Sequence, residues 1–274
     1  MLELYSKDLQ LTTTQPIVMG ILNATPNSFY NKGRGNDING LLHTAETMLH
    51  DGVTILDVGG ASSKPGEPII DPEEEVKRVL PIITALSQRY PQLWISVDTY
   101  NATVAKAAVE AGATIVNDIS AGAIDPLMLP TVAALKVPYI AMHMQGTPAT
   151  MQLQPQYTHI VAEVKHHLRQ VCDRCTQAGI DQVILDPGFG FGKTVAHNYE
   201  LLTNLGVLAT LGKPILAGLS RKSMVCKPLK ISPENALNGT TALNMVALMN
   251  GATILRVHDV KEAMQAVTLF CYMQ

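Results

Sequence analysis

Short apolar runs alternate along the chain with longer segments in which apolar residues recur at helical spacing. Eight of these runs are predicted to be strands, at 17–22, 53–56, 94–97, 115–116, 139–142, 183–185, 215–217 and 254–257. Strands that are apolar on both faces are typical of parallel sheets covered by helices. The repeat of strand, loop and helix allows a closed α/β barrel or an open doubly wound sheet, and eight equal units favour a (β/α)8 TIM barrel.

Helix boundaries in the same pattern are marked by local residues. Asp71 precedes Pro72 and three glutamates, which predicts a capped helix start. Ser232 before Pro233 repeats the arrangement, while Gly112 and Gly179 stand where helices end. These boundaries support the alternation of helices and strands.

Each predicted strand ends on a polar group. These groups are Asn23, Asp57, Asp98, Asn117, His143, Asp186, Ser220 and the pair Arg256 and His258. Because a closed parallel barrel brings the carboxyl ends of its strands to one rim, we expect a ligand site there.

Composition narrows the class of protein. The 274 residues are 47% hydrophobic and 16% charged, an ordinary globular balance, and no linker interrupts them, which predicts a single domain over residues 1–274. A net charge of −3 argues against a nucleic-acid partner, so an anionic ligand needs a local cationic site. Without a leader-like N-terminus or an apolar window of about 20 residues, we expect a cytoplasmic protein that does not bind membranes. Cys172 and Cys175 form a lone CxxC in a helical pattern, which we interpret as reduced structural thiols.

The acidic strand ends suggest one kind of ligand. Asp98 and Asp186 would place two carboxylates over one cavity, where they accept hydrogen bonds from a donor edge such as that of an aminopyrimidine. Asn117 adds a donor and an acceptor. The alternative is that these residues cap the helices that follow them.

The cationic residues lie near the end of the chain. Lys222 follows the seventh strand, and Arg256 and His258 share one face of the eighth, where barrels often bind phosphate. A phosphate or a departing pyrophosphate would be stabilised there. Alternatively, Arg256 and Lys222 pair with barrel carboxylates.

Three loops carry further candidates. The glycine segment 186–194 lacks the spacing of a phosphate-binding loop, and it offers Phe189 or Phe191 as a flat wall unless these pack in the core. Polar loops at 23–33 and 59–66 are typical of mobile lids, although ordinary exposed connections are the alternative. Asn23 could give an amide oxygen to Mg²⁺ held mainly by phosphate oxygens.

In eight ordered segments the chain resembles the dihydropteroate synthases of folate biosynthesis, over about residues 17–267. The segments are MGILN at 19–23, DVGG at 57–60, SVDT at 96–99, NDIS at 117–120, MHMQGTP at 142–148, DPGFGFGK at 186–193, SRKS at 220–223 and RVHD at 256–259. The resemblance implies a barrel enzyme that joins a hydroxymethyl-dihydropterin diphosphate to p-aminobenzoate and releases pyrophosphate.

The same resemblance implies roles for single residues. Pterin binding falls to Asp98, Asn117, Asp186 and Lys222, and diphosphate binding with Mg²⁺ falls to Asn23, Ser63, Arg256 and His258. Pro65, Phe191 and Ser223 would shape the p-aminobenzoate pocket. Lys222, Arg256 and His258 would be the catalytic group, because pyrophosphate leaves first and the amine then attacks a pterin-stabilised cation.

The chain departs from the family pattern in the first two loops. Asn27 and Asn31 stand where family members usually have aspartates, and Lys64 stands where they have arginine. Two negative charges and a planar guanidinium are therefore missing. We hypothesise a working synthase with altered affinity for p-aminobenzoate or sulfonamides.

Two other functions fit parts of the pattern. A corrinoid-dependent pterin methyltransferase would share the Asp and Asn contacts but has no need of the SRKS and RVH anion groups. A non-catalytic pterin-binding paralogue would explain the loop departures.

A homodimer is predicted from two observations. The segments 234–249 and 260–270 are apolar, and members of the family that the chain resembles commonly form homodimers. The alternative is that these apolar residues pack against the barrel.

Overall fold

The computed structural model describes residues 1–24, 38–61 and 70–274. Its strands are β1 (Leu2–Ser6), β2 (Leu9–Thr13), β3 (Ile17–Asn23), β4 (Ile55–Gly59), β5 (Trp94–Asp98), β6 (Ile115–Asp118), β7 (Tyr139–Met142), β8 (Val183–Asp186), β9 (Leu216–Ala217) and β10 (Ile254–Val257). Its helices are α1 (Ile38–His50), α2 (Pro72–Arg89), α3 (Ala102–Glu110), α4 (Met128–Leu135), α5 (Ile160–Ala178), α6 (Val195–Thr203), α7 (Gly206–Ala209), α8 (Ser223–Leu229), α9 (Leu237–Met249) and α10 (Val260–Cys271), with a 3₁₀ turn at Pro233–Asn235.

Eight parallel strands form one sheet in the order β8-β7-β6-β5-β4-β3-β10-β9. A parallel bridge between Leu185 and Ile215 joins the two end strands and closes the ring. The prediction of a (β/α)8 barrel is confirmed, and the open doubly wound sheet is excluded by this closure. Helices surround the ring and bury its outer face in an apolar core that includes Leu56, Val97 and Leu185.

The starts of two strands differ from the predicted ones, and β3, β4, β5, β6 and β8 continue one to three residues further at their carboxyl ends. Val53 and Thr54 precede β4, because Val53 N donates to Met48 O and ends the turn after α1. The seventh barrel strand, β9, is reduced to Leu216 and Ala217. In both cases the apolar residues were found correctly, and the turn geometry that trims the strand is not visible in an apolar pattern.

The predicted helix boundaries are largely confirmed. Asp71 caps α2 by accepting from Glu73 N at 2.8 Å, and Gly179 ends α5 with a left-handed φ of 84°. Gly112 has a φ of 124°, and a Cβ there would lie 2.4 Å from Ser87 Cβ, so glycine also keeps α2 and α3 in close contact. Ser232 starts only a 3₁₀ turn and makes no side-chain cap.

An N-terminal hairpin that the apolar pattern did not predict covers the floor of the barrel. Strands β1 and β2 pair antiparallel, and Leu2 and Leu4 join a buried cluster with strand-start residues such as Ile17 and Trp94. Because Leu2 and Leu4 alternate with exposed residues, the hairpin buries one face against the barrel. The floor is thus apolar and closed, which leaves the opposite rim for ligands.

Leu4→Ala is expected to lower the free energy of unfolding by about 2–5 kcal/mol, because Leu4 is 1% exposed under the barrel. Denaturant unfolding with Thr12→Ala on the exposed face as the control measures this. Turnover of the folded variant should stay unchanged; an equal loss of turnover would show that the hairpin shapes the rim.

The state of the cysteines and the character of the helices can be compared with what the sequence suggested. All four cysteines are free, with Cys172 and Cys175 on one helix and no disulfide between them. Of the helices in the described part of the chain, none combines the length and apolar character of a membrane span.

Candidate active site

A buried cluster of two carboxylates, an amide and a guanidinium lies inside the barrel mouth. Arg256 Nε donates to Asp57 Oδ2 and Arg256 Nη2 to Asp98 Oδ2, each at 2.6 Å. Asn117 Nδ2 donates to the same Asp57 oxygen at 3.0 Å. Strand alternation turns these side chains inward, and the parallel register places Asp98 directly beside Asn117. Three of the predicted site residues, Asp98, Asn117 and Arg256, therefore meet in one hydrogen-bonded cluster.

The capping alternative is wrong for the two β5 and β6 residues. The N-cap position of α3 is Asn101, not Asp98, and Asn117 Nδ2 on β6 donates to Asp57 on β4, past the intervening strand β5. The pairing alternative is correct for Arg256, which bonds two carboxylates in this structure. It does not hold for Lys222, whose Nζ donates to the carbonyl of Phe189 at 2.7 Å.

The electrostatics of the cluster follow from its burial. Burial raises the pKa of Asp98 to about 7, Arg256 opposes the rise, and the Asp57 carboxylate adds to it. The two carboxylates hold the pKa of Arg256 above its usual range despite burial. The side chains of Arg256 and Asp98 are each 16% exposed, so a ligand that enters the mouth can reach both. The arrangement suits a ligand with N–H donors for the acids and negative charge for the guanidinium.

Asp186, at the end of β8, forms a second acidic position at the mouth. Its Oδ1 accepts from Gly188 N at 2.7 Å, which tightens the turn after the strand. Burial raises the pKa of Asp186, and the nearby Lys222 charge opposes that rise. A Cβ at Gly218 would lie 3.8 Å from both Asp186 Oδ2 and Arg256 Cβ, so this glycine keeps the space between acid and base open.

Lys222 lies over the glycine segment. Its Nζ is 4.8 Å from the centroid of the Phe191 ring, a cation–π distance, and burial lowers its pKa to about 8. Phe191 is half-buried at the mouth, whereas Phe189 is fully buried in the core. Of the two phenylalanines left open by the sequence, Phe191 is thus the one that can form a wall.

His258 stands beside the cationic group. Its Nδ1 lies 3.0 Å from Ser220 Oγ, and burial together with Arg256 lowers its pKa to about 4. The imidazole is therefore neutral near pH 7 before a ligand binds. Arg221, by contrast, donates two hydrogen bonds to Asp259, at 2.5 and 2.9 Å. Its guanidinium therefore takes part in an ion pair within the rim.

A magnesium site was predicted at Asn23. A Cβ at Gly59 would lie 3.8 Å from Asn23 Oδ1 and 3.7 Å from Asp98 Oδ2, so the amide oxygen lies at the mouth. Within the described ranges, no cluster of three His, Cys, Asp or Glu side chains could hold a metal ion. An amide oxygen is a hard ligand of the kind that Mg²⁺ binds, and the magnesium site stays a prediction.

The remaining predicted residues have different outcomes. Ser63 and Pro65 lie outside the described residues, as do Asn27, Asn31 and Lys64 in the two loops. Ser223 is exposed at the start of α8, next to Lys222.

Two buried residues near the site were not among the predicted binding residues. Asp57 is fully buried and bonds both Arg256 and Asn117, although its strand-end position was recognised. Lys193 is 3% exposed and lies 2.9 Å from His143 Nδ1. Both depend on contacts between residues far apart in the chain, which no local spacing reveals.

Comparisons with known proteins agree with this geometry. Residues 19–258 match the family model of the pterin binding enzymes. The dihydropteroate synthase of Escherichia coli K12 is 42% identical over 268 residues, covering 97% of this chain and 94% of that one. A Yersinia pestis dihydropteroate synthase in a sulfonamide complex has 41% identity, a TM-score of 0.95 and 99% coverage of both chains. A Xanthomonas albilineans synthase with 4-aminobenzoic acid has 39% identity, a TM-score of 0.92 and coverage of 99% of this chain and 98% of that one. The chain belongs to the pterin binding enzyme family, and within it to the dihydropteroate synthases.

Proposed function

We propose that, in the dihydropteroate synthase reaction of this chain, Asp98, Asn117, Asp186 and Lys222 bind the pterin while Arg256 and His258 hold the diphosphate. The observation that carries this division is the pairing of Arg256 with Asp57 and Asp98 at one mouth, next to Asp186 and Lys222. Acceptors for N–H donors and donors for phosphate oxygens thus lie close together at one end of the barrel.

The reaction itself needs a good leaving group. The bond from the pterin methylene carbon to the diphosphate oxygen breaks, and its electron pair leaves with pyrophosphate. The amine of p-aminobenzoate then forms the new C–N bond and loses a proton. Arg256 favours departure by binding the charge that grows on the leaving oxygen.

Mg²⁺ is part of this proposal. Asn23 would hold it together with diphosphate oxygens, and the ion would supply charge neutralisation of the leaving group. If so, Asn23→Ala raises the Mg²⁺ concentration needed for half-maximal binding of the pterin diphosphate, while binding of the diphosphate-free pterin is unchanged.

The substrates follow from the relatives. The Xanthomonas albilineans neighbour is a complex with 4-aminobenzoic acid, and the Coxiella burnetii neighbour is a complex with pteroic acid. Steady-state assays with pterin diphosphate, p-aminobenzoate and Mg²⁺ should yield dihydropteroate and pyrophosphate in equal amounts. Pterin binding without pyrophosphate release would instead identify the non-catalytic paralogue.

The loop departures have a test of their own. The double substitution Asn27→Asp and Asn31→Asp restores the two aspartates, and sulfonamide inhibition constants of this variant and the wild type show whether the departures alter inhibition.

The pH dependence of the reaction should report on Lys222. Raising the pH through about 8 removes the ammonium proton, so kcat/KM for the pterin substrate should fall on the basic side. Lys222→Arg stays charged over this pH range, so its kcat/KM should not fall on the basic side, whatever its absolute value. A wild-type profile that stays flat to about pH 9.5 would contradict a protonated Lys222 in binding.

The free energy of unfolding should also depend on the protonation of Lys222, but it should rise over the pH range in which kcat/KM falls. An unfolded lysine titrates near 10.5, so between about pH 8 and 10.5 the unfolded chain binds the extra proton. The contribution of Lys222 to the free energy of unfolding therefore rises with pH across that window.

Homodimer formation and a cytoplasmic location are further proposals. Four large apolar side chains are exposed on or just after α9 and α10, namely Met249, Leu269, Tyr272 and Met273. Packing against the barrel does not use them, which supports a subunit contact through this side. Light scattering should give twice the chain mass, and fractionation of the producing cells tests the location.

A further inference from the structure

Lys193, near the end of the glycine segment 186–194, is a buried cation that the proposed reaction does not use. Its Nζ lies 2.9 Å from His143 Nδ1 and donates to Gly188 O at 2.9 Å and Phe191 O at 3.0 Å. The residue is 3% exposed, and its ammonium is surrounded by acceptors of the protein itself. Its contacts join the loop after β7 to the loop after β8.

The two loops meet too closely for ordinary side chains. Gly188 has a φ of 69°, and a Cβ there would lie 1.9 Å from His143 O. Gly192 has a φ of 61°, and its Cβ would lie 2.6 Å from Gln145 O. Left-handed glycines thus shape a turn whose carbonyls can point at the Lys193 ammonium.

A charged group suits this position. An ammonium has three N–H bonds for the three nearest acceptors, whereas a neutral amine has two. A fourth acceptor, His143 O, lies at 3.4 Å. Burial lowers the pKa of Lys193 to about 7, and the Asp186 carboxylate opposes that loss of charge. Burial and the Lys193 charge also hold the pKa of His143 well below its usual range, so the neutral ring can accept at Nδ1.

Lys222 binds the same turn. Its Nζ donates to the carbonyl of Phe189, which stands between the two carbonyls that Lys193 holds. The Phe191 ring below Lys222 belongs to a residue whose carbonyl Lys193 binds. Any shift of the turn therefore moves both the carbonyl and the ring that locate the Lys222 ammonium.

We propose that Lys193 is a positioning residue for pterin binding, which acts by fixing the turn at 188–192 and, through it, the carbonyl and the ring that hold Lys222. The inference rests on the proposed role of Lys222 at the pterin. In this proposal the Lys193 ammonium stays on its protein acceptors, so its whole effect on affinity should pass through Lys222.

A double-mutant cycle tests this. Pterin dissociation constants are measured calorimetrically for wild type, Lys193→Met, Lys222→Met and the double variant. Lys193→Met should weaken binding at least about tenfold, and the double variant should bind within about twofold of Lys222→Met alone. Wild-type affinity in Lys193→Met, or a double variant whose loss is the product of the single losses, overturns the proposal.

Two controls separate positioning from simple destabilisation. Tyr139→Phe removes a buried hydrogen bond to Asp118 away from the turn, and it should lower the melting temperature without changing pterin affinity. If Lys193→Met does not fold, Lys193→Gln is used in the same cycle, because its amide keeps two donors without the charge. Unchanged affinity in Lys222→Met would refute the pterin role of Lys222 itself, which distinguishes the two claims.

Discussion

Arg256→Met is expected to lower kcat/KM by at least about three orders of magnitude, because the diphosphate loses its guanidinium partner as charge develops on the leaving oxygen. The same change should lower the free energy of unfolding by about 3–5 kcal/mol, since Asp57 and Asp98 remain buried without their counter-charge. Steady-state kinetics and denaturant unfolding measure the two effects separately.

A second substitution separates stability from chemistry. Asp57→Asn in the Arg256→Met background removes one uncompensated carboxylate, so part of the lost stability should return while turnover stays absent. Arg256→Lys keeps the charge but loses the planar guanidinium that reaches both acids. Its stability and its kcat/KM should therefore lie between those of the wild type and Arg256→Met. Wild-type stability in Arg256→Met would show that the ion pairs do not form as the structure has them.

Asp186→Asn should weaken pterin binding by about 100-fold or more, because the amide presents N–H groups to the ligand's donors where the carboxylate accepted them. The substitution keeps an oxygen for Gly188 N, so the turn after β8 is preserved. Equilibrium binding of the pterin measures the effect.

Asp181→Asn is the matched control for this change. It removes the same charge at the exposed opposite end of the same strand region and should leave the affinity unchanged. Equal losses in both variants would mean that Asp186 acts through net charge and not through hydrogen bonds.

The barrel was predictable because its strands are short and apolar on both faces. Helix boundaries such as Asp71 and Gly179 are local devices that also appear in sequence. The hairpin at the floor had a usable pattern, since Leu2, Leu4, Leu9 and Leu11 alternate with polar residues, but two short strands without a following helix do not belong to the barrel repeat.

The site was predictable only as a set of strand ends. That Asp98, Asn117 and Arg256 meet follows from barrel closure, but the particular pairs do not. Arg256 and Asp57 are 199 positions apart, and Lys193 and His143 are 50 apart. Their roles depend on how two loops pack, or on how β4 and β10 flank β3, which a single sequence does not encode at any local spacing.

A crystal structure of the chain with pterin diphosphate tests the central claim most directly. We expect the donor edge of the pterin within about 2.7–3.2 Å of acceptors on Asp98 and Asp186, and diphosphate oxygens at the same distance from Arg256 and His258. A pterin bound away from these acids, or a diphosphate directed away from Arg256, would contradict the account.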